Sequence, residues 1–201
     1  MDKQQLVIIH GGNARNSYEE YLDRLKQREV TADDFKVKHK WKEVFADEFS
    51  SSWEVFKPSM PNDKNAKYLE WKIWFEKLVP YLRDDVVFIG HSLGGLFLAK
   101  YLSEEQFPKR VRATILVAAP YNTPEHPRAD FNITHPFDQL VKQGGEIYLY
   151  HSPDDETVPL SAFERYAKEI PSAHAVLIEN RGHFSTPTFP ELAEVVRSLK
   201  L

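Results

Sequence analysis

The sequence predicts an α/β fold with a doubly wound, mostly parallel sheet and helices on both faces. Three observations predict it. Short apolar runs recur along the chain, the segments between them carry helical periodicity, and one run breaks at a Gly-rich turn that opens directly into another helical pattern. Apolar runs without strict alternation suit parallel strands covered on both sides. Strand–helix alternation implies right-handed crossovers and a doubly wound sheet.

Leu6-Val7-Ile8-Ile9 is the first strand and ends at His10-Gly11-Gly12. A long charged stretch, Asn13 to Lys40, follows, with a helix expected over Tyr18 to Gln27. Trp53 to Phe56 reads as a short strand closed by Pro58 and Pro61. Tyr68, Trp71, Phe75, Leu78 and Leu82 recur at spacings of three and four, one face of a helix. Asp85 to Ile89 is the next strand; it ends at Gly90 and leads into the helical run Leu96 to Leu102. Ala113 to Ala118, Glu146 to Tyr150 and Ala175 to Ile178 complete the strands. Phe163, Tyr166, Ala167 and Ile170 mark one later helix, with Ser161 and Glu164 as its expected capping box. Leu192, Val195, Val196 and Leu199 mark a C-terminal helix, with Thr188 and Glu191 as its expected cap. Tyr121 to Gly145 is a second long connection, rich in Pro and His, and such connections often carry function.

The chain has 201 residues, as expected for a single domain spanning 1–201. It holds 26 Lys plus Arg against 30 Asp plus Glu, a net charge of −4, which argues against a nucleic-acid partner. There is no cysteine, hence no disulfide framework and no thiolate metal site. The N-terminal residues lack a signal-peptide pattern, and no apolar run approaches the roughly 20 residues that span a bilayer. A cytoplasmic protein without membrane contact is expected, and a protein partner is not indicated.

The strongest chemical signal is Gly90-His91-Ser92-Leu93-Gly94-Gly95. A G-x-S-x-G turn between a strand and a helix is a nucleophile elbow, in which the serine hydroxyl stands clear above the sheet. The following helix aims free N–H groups at the same spot. A neutral hydroxyl needs a base. His183, in the loop after the last strand, is the candidate; His174 lies on a strand and suits packing or exposure better. The acid should follow the strand ending at Tyr150, where Asp154, Asp155 and Glu156 are adjacent. Asp155 is the choice because it lies three residues before the Val158-Pro159 closure; Asp154 is the alternative. One oxyanion donor should be the Leu93 N–H and the other should come from Gly12, with Asn13 as the alternative. Asn13, Tyr121, Phe131 and Phe137 are candidates for the substrate wall. His10 suits a supporting role and His91 packing beneath the turn, and His39, His126 and His135 lack partners at metal-ligand spacing, so no metal is expected. Gly11-Gly12 is a weak signal for phosphate binding and no P-loop is present, so no cofactor is expected.

Together the elbow, the Asp155 loop and the His183 loop resemble the α/β-hydrolase superfamily. Pro58-Ser59-Met60-Pro61-Asn62, the Trp71 helix, Phe88 to Ser92, Ser152 to Asp155 and Gly182-His183-Phe184 narrow the resemblance. They are similar to the small serine hydrolases related to retinoblastoma-binding protein nine and the bacterial YdeN proteins. The resemblance runs from Trp41 onward. It implies a compact hydrolase with little or no cap and the triad Ser92, Asp155 and His183. The Asn13 to Lys40 stretch is longer than that group implies. The expected activity is acyl transfer from a small ester to water, with an amide or thioester substrate as the alternative. A protein-binding module on the same fold is the rival from another class.

Overall fold

The computed structural model describes residues 3–36, 41–122 and 128–201, so His39 and His126 lie outside the described residues. The strands are β1 (Gln5–Ile9), β2 (Glu54–Phe56), β3 (Val86–His91), β4 (Val111–Val117), β5 (Glu146–His151) and β6 (His174–Leu177). They form one sheet in the order β2-β1-β3-β4-β5-β6, and each pairing is parallel. The helices are α1 (Tyr18–Gln27), α2 (Trp41–Phe49), α3 (Tyr68–Leu78), α4 (Leu93–Glu104), α5 (Asp138–Gln143), α6 (Leu160–Glu169) and α7 (Pro190–Ser198).

Successive strand residues feed two separate cores, which is why the runs are apolar without alternating. Val7, Ile9, Phe88 and Leu149 pack with Trp71, Phe75, Phe97 and Tyr166 on one face. Leu6, Ile8, Val87, Ile89 and Ile115 pack on the other with Trp41, Phe45 and Phe49 of α2 and Leu192 and Val196 of α7. From β1 the chain steps outward to β2, then returns to place β3 on the opposite side of β1. The winding direction therefore switches between β1 and β3. Ligand crevices in open α/β sheets form beyond the carboxyl ends of strands at such a switch.

Two helices were not expected. α2 buries Trp41, Phe45 and Phe49, spaced four apart, against the sheet. α5 is a six-residue helix inside the connection between β4 and β5. The two expected capping boxes are absent. Ser161 lies inside α6, whose N-cap position is Pro159. Thr188 precedes Phe189, the N-cap of α7, where Pro190 supplies the first helical residue. Proline there has no N–H to satisfy and a φ preset for the helix, so a side-chain cap is less needed. A side-chain cap appears instead on α1, where Ser17 Oγ accepts the Glu20 N–H at 3.1 Å.

The connection after β4 is tied inward. Lys100, buried on α4, donates to Asn132 O at 2.7 Å and to Glu104 at 2.6 Å, and it lies over the Tyr68 ring. Phe131 is 0% exposed and meets Trp71 edge-on, with centroids 5.3 Å apart. Phe137 is 3% exposed and packs on Tyr166. Tyr121 leans on both Phe137 and Tyr166 and donates its hydroxyl proton to Glu169 at 2.8 Å. Phe131 and Phe137 are core residues rather than a substrate wall, because the apolar faces of α4 and α6 offer them more burial than an open cleft does, and the half-buried Tyr121 packs against the same core. Phe131→Ala is therefore expected to lower unfolding free energy by about 3–5 kcal/mol. The KM for a short ester should stay within about twofold of the parent value. Urea unfolding and steady-state kinetics check both, and a large KM change with little loss of stability would return Phe131 to the substrate wall.

Candidate active site

β3 delivers Ser92 and α4 takes the chain away. Ser92 carries φ 54° and ψ −125°, a conformation that costs a non-Gly residue about 1–3 kcal/mol. Its surroundings hold it there: the Ser92 N–H donates to Val117 O at 2.8 Å, and Gly95 N–H donates to Ser92 O at 2.9 Å. The turn also demands close backbone contact. A Cβ on Gly94 would lie 2.6 Å from His10 O, with Ile9 O nearer still. The first turn of α4 thus rests on the end of β1. The N–H of Leu93 opens that helix, where amide protons have no intrahelical acceptor.

The loop after β1 is held from two directions. His10 Nδ1 donates to Gly11 O at 2.7 Å, and Nε2 accepts the Met60 N–H at 2.8 Å. Asn13 N–H donates to Asp63 O at 2.7 Å, and Ala66 N–H donates back to Asn13 O at 2.8 Å. Asn13's backbone donor is therefore committed. Gly12 sits so close to Asp63 O that a Cβ would approach it to 2.6 Å.

β5 ends in a loop that turns its two aspartates to different tasks. The Asp155 side chain is fully buried, and Oδ1 accepts the N–H groups of Thr157 and Val158 at 2.8 and 3.0 Å. Oδ2 accepts the proton of His183 Nδ1 at 2.8 Å. Burial alone would raise the Asp155 pKa, but the hydrogen bonds from His183, Val158 and Thr157 outweigh it and hold the carboxyl below the usual range. Asp154 turns instead to the backbone. Oδ1 accepts the Gly182 N–H at 3.1 Å and the Ser152 hydroxyl, and the hydroxyl is the main cause that lowers its pKa. Asp154 thus ties the β5 loop to the His183 loop, and Asp155 orients the imidazole.

Asn180, Gly182 and Phe184 all have positive φ, so the His183 loop is tightly coiled. Arg181 N–H donates to Ser152 Oγ at 3.1 Å, and the Arg181 guanidinium grips Glu191 of α7 at 2.6 and 2.7 Å.

Ser92, His183, Gly12 and Asn13 line one cleft of about 530 Å³ at the switch point. Lys42, Lys57 and Lys64, with Glu43 and Asp63, form much of its remaining wall. Sequence reasoning missed these charged residues, and their only advance signal was the Pro58 to Asn62 segment that the resemblance singled out. The other histidines are placed elsewhere. His151 is buried, bonds Val158 O at 3.1 Å and stacks on Phe163; burial lowers its pKa. His174 is exposed and stacks on Tyr148. His135 lies at the surface beside Glu104. Among the described residues, no cluster of three or more His, Asp or Glu could hold a metal ion, and no helix is long and apolar enough to cross a membrane.

The elbow and the His183 loop use glycine for different reasons, and stability separates them. Gly94→Ala drives a methyl into backbone and should cost about 3 kcal/mol or more. Gly182 has φ 49° with open space around its Cβ position, so Gly182→Ala should cost only the left-handed penalty of about 1–2 kcal/mol. Comparison of urea midpoints decides it; equal losses would contradict the close-approach account of the elbow.

The comparisons with known proteins agree on family and fold. A family profile described as Serine hydrolase matches residues 34–199. The rat protein Serine hydrolase RBBP9 is 27% identical over 146 residues, which cover 70% of this chain and 75% of the rat protein. The crystal structure of the ydeN gene product of B. subtilis superposes with a TM-score of 0.76 at 19% identity, over 98% of both chains. Naproxen esterase, a carboxylesterase from Bacillus subtilis, superposes with a TM-score of 0.62 at 17% identity over 99% of this chain and 84% of its own. The structural likenesses establish an α/β-hydrolase fold. The profile covers most of the chain, and the chain belongs to the serine hydrolase family.

Proposed function

We propose that this serine hydrolase cleaves small carboxylic esters through an acyl-enzyme on Ser92. The observation that carries the proposal is the buried Asp155 carboxylate on His183 Nδ1, in the cleft that also holds the strained Ser92. With Nδ1 donating to Asp155, a neutral His183 keeps its Nε2 lone pair free to act as a base. Ser92 Oγ attacks the ester carbonyl carbon as His183 Nε2 takes the hydroxyl proton. The oxyanion accepts from the N–H groups of Leu93 and Gly12. Gly12 is preferred to Asn13 because the Asn13 N–H is already bonded to Asp63 O. The C–O bond to the leaving group breaks as the imidazolium returns the proton to the departing oxygen. Water then attacks the acyl carbon, giving one proton to His183, and the acid departs as Ser92 Oγ recovers it.

A fold shared with a carboxylesterase supports an ester over an amide or thioester, which the same three groups also serve. A binding module would not need a carboxylate buried against one imidazole nitrogen. The charged wall of the cleft, and the inward packing of Phe131 and Phe137, support short acyl groups over long lipid chains.

Two experiments test this reading. Asp155→Asn leaves an amide that favours the wrong imidazole tautomer, so kcat should fall on the order of 10⁴-fold. Asp154→Asn keeps an acceptor oxygen for the Gly182 N–H, so its loss should stay within about tenfold. A larger loss from Asp154→Asn would reverse the assignment of the acid. Across p-nitrophenyl esters, kcat/KM should be at least about tenfold higher for acetyl or butyryl than for palmitoyl esters, a gap of about 1.4 kcal/mol. A preference for palmitoyl would mean a deep apolar channel and would overturn the short-chain assignment.

A further inference from the structure

We propose that Lys42 and His91 are positioning residues that hold the His183 loop in register with the nucleophile. The proposal rests on the reading of His183 as the base. His91 ends β3, immediately before Ser92, and is largely buried. Its Nε2 lies 3.0 Å from the backbone oxygen of His183. Its Nδ1 lies 3.3 Å from Nζ of Lys42, the second residue of α2, which is 6% exposed. The two imidazoles are tilted by 50° with centroids 4.9 Å apart, and Trp41 meets the His91 ring edge-on.

The chemistry of these groups fixes the protons. A carbonyl oxygen only accepts, so the bond to His183 O requires a hydrogen on His91 Nε2. An ammonium only donates, so the contact with Lys42 requires a bare lone pair on Nδ1. Together they select the neutral Nε2–H tautomer of His91. The opposite tautomer would set the Nε2 lone pair against the carbonyl oxygen and lose both bonds. Lys42 thereby ties the start of α2 to the histidine that precedes the nucleophile.

The result is a two-point hold on one residue. Asp155 grips the His183 ring at Nδ1, and His91 grips its backbone oxygen. The loop needs such ties, because Gly182 and Phe184 on either side both have positive φ. Because His91 and Ser92 are adjacent, the same stretch of β3 carries the nucleophile and fixes the backbone of its base. A shift of about 1 Å between such groups is enough to cost about 100-fold in rate.

The test uses the full chain. In the ¹⁵N NMR spectrum of histidine-labelled wild-type protein at neutral pH, His91 should show the Nε2–H tautomer. In Lys42→Met that signal should shift towards a tautomer mixture. His91→Phe should lower both kcat for p-nitrophenyl butyrate and the rate of fluorophosphonate labelling by about 10–100-fold, with KM within about twofold. His91→Gln, whose amide N–H reaches the same carbonyl, should recover most of the loss. A wild-type His91 in the Nδ1–H tautomer would overturn the proposal, whatever the folding of the variants. So would a folded His91→Phe that turns over and labels at the wild-type rate. If wild-type protein neither hydrolyses ester nor labels while His91 holds the Nε2–H tautomer, the hydrolytic assignment of His183 falls and the hold on its backbone stands.

Discussion

The contact between the first turn of α4 and the carboxyl end of β1 constrains everything else in the site. Gly94 lies against the backbone of Ile9 and His10, and that approach forces β3 into its sharp exit at Ser92. The same contact brings the loop after β1 beside Ser92 and the start of α4. A methyl group at Gly94 would separate them. The strain at Ser92 is borne by the parallel sheet, since β3 is paired on both sides, with β1 and with β4.

Much of this was legible in the sequence because it is local. Strand, elbow and helix follow one another within Val86 to Leu102, and each declares itself by composition. The His183 loop was legible from its place after the last strand. Asp154 and Asp155 were harder, because adjacent acids in one loop look alike until the fold shows what each faces. One meets an imidazole and the other a backbone N–H. The aromatics of the β4–β5 connection misled for a related reason. Phe131 and Phe137 are apolar residues of a connection that leaves the carboxyl end of β4, but composition does not say whether such residues turn to a cleft or to the core. Here the apolar faces of α4 and α6 claimed them. The starts of α6 and α7 show local rules yielding to proline: Pro159 stands at the N-cap of α6, and Pro190 follows the Phe189 N-cap of α7.

α2 was the most consequential omission. It spans only nine residues, and its apolar positions follow directly on a long charged stretch whose helix α1 buries nothing. Once folded, α2 does more than cover the sheet. Its buried aromatic face joins Trp41 to Phe189 at the approach to α7, and its first turn places Lys42 against the elbow histidine. The segment between β1 and β2 therefore reaches the cleft through Lys42 and Glu43 as well as through Gly12 and Asn13. The resulting pocket is charged, unlike the apolar pockets common among small-molecule sites.

The most direct test of the central claim is to find where the covalent adduct forms. Wild-type protein and Ser92→Ala are treated with a fluorophosphonate probe, digested, and mapped by peptide mass spectrometry. The account predicts one equivalent of adduct on Ser92 and none on the folded variant. An adduct on Ser59, which also lines the cleft, or undiminished labelling of Ser92→Ala, would contradict it.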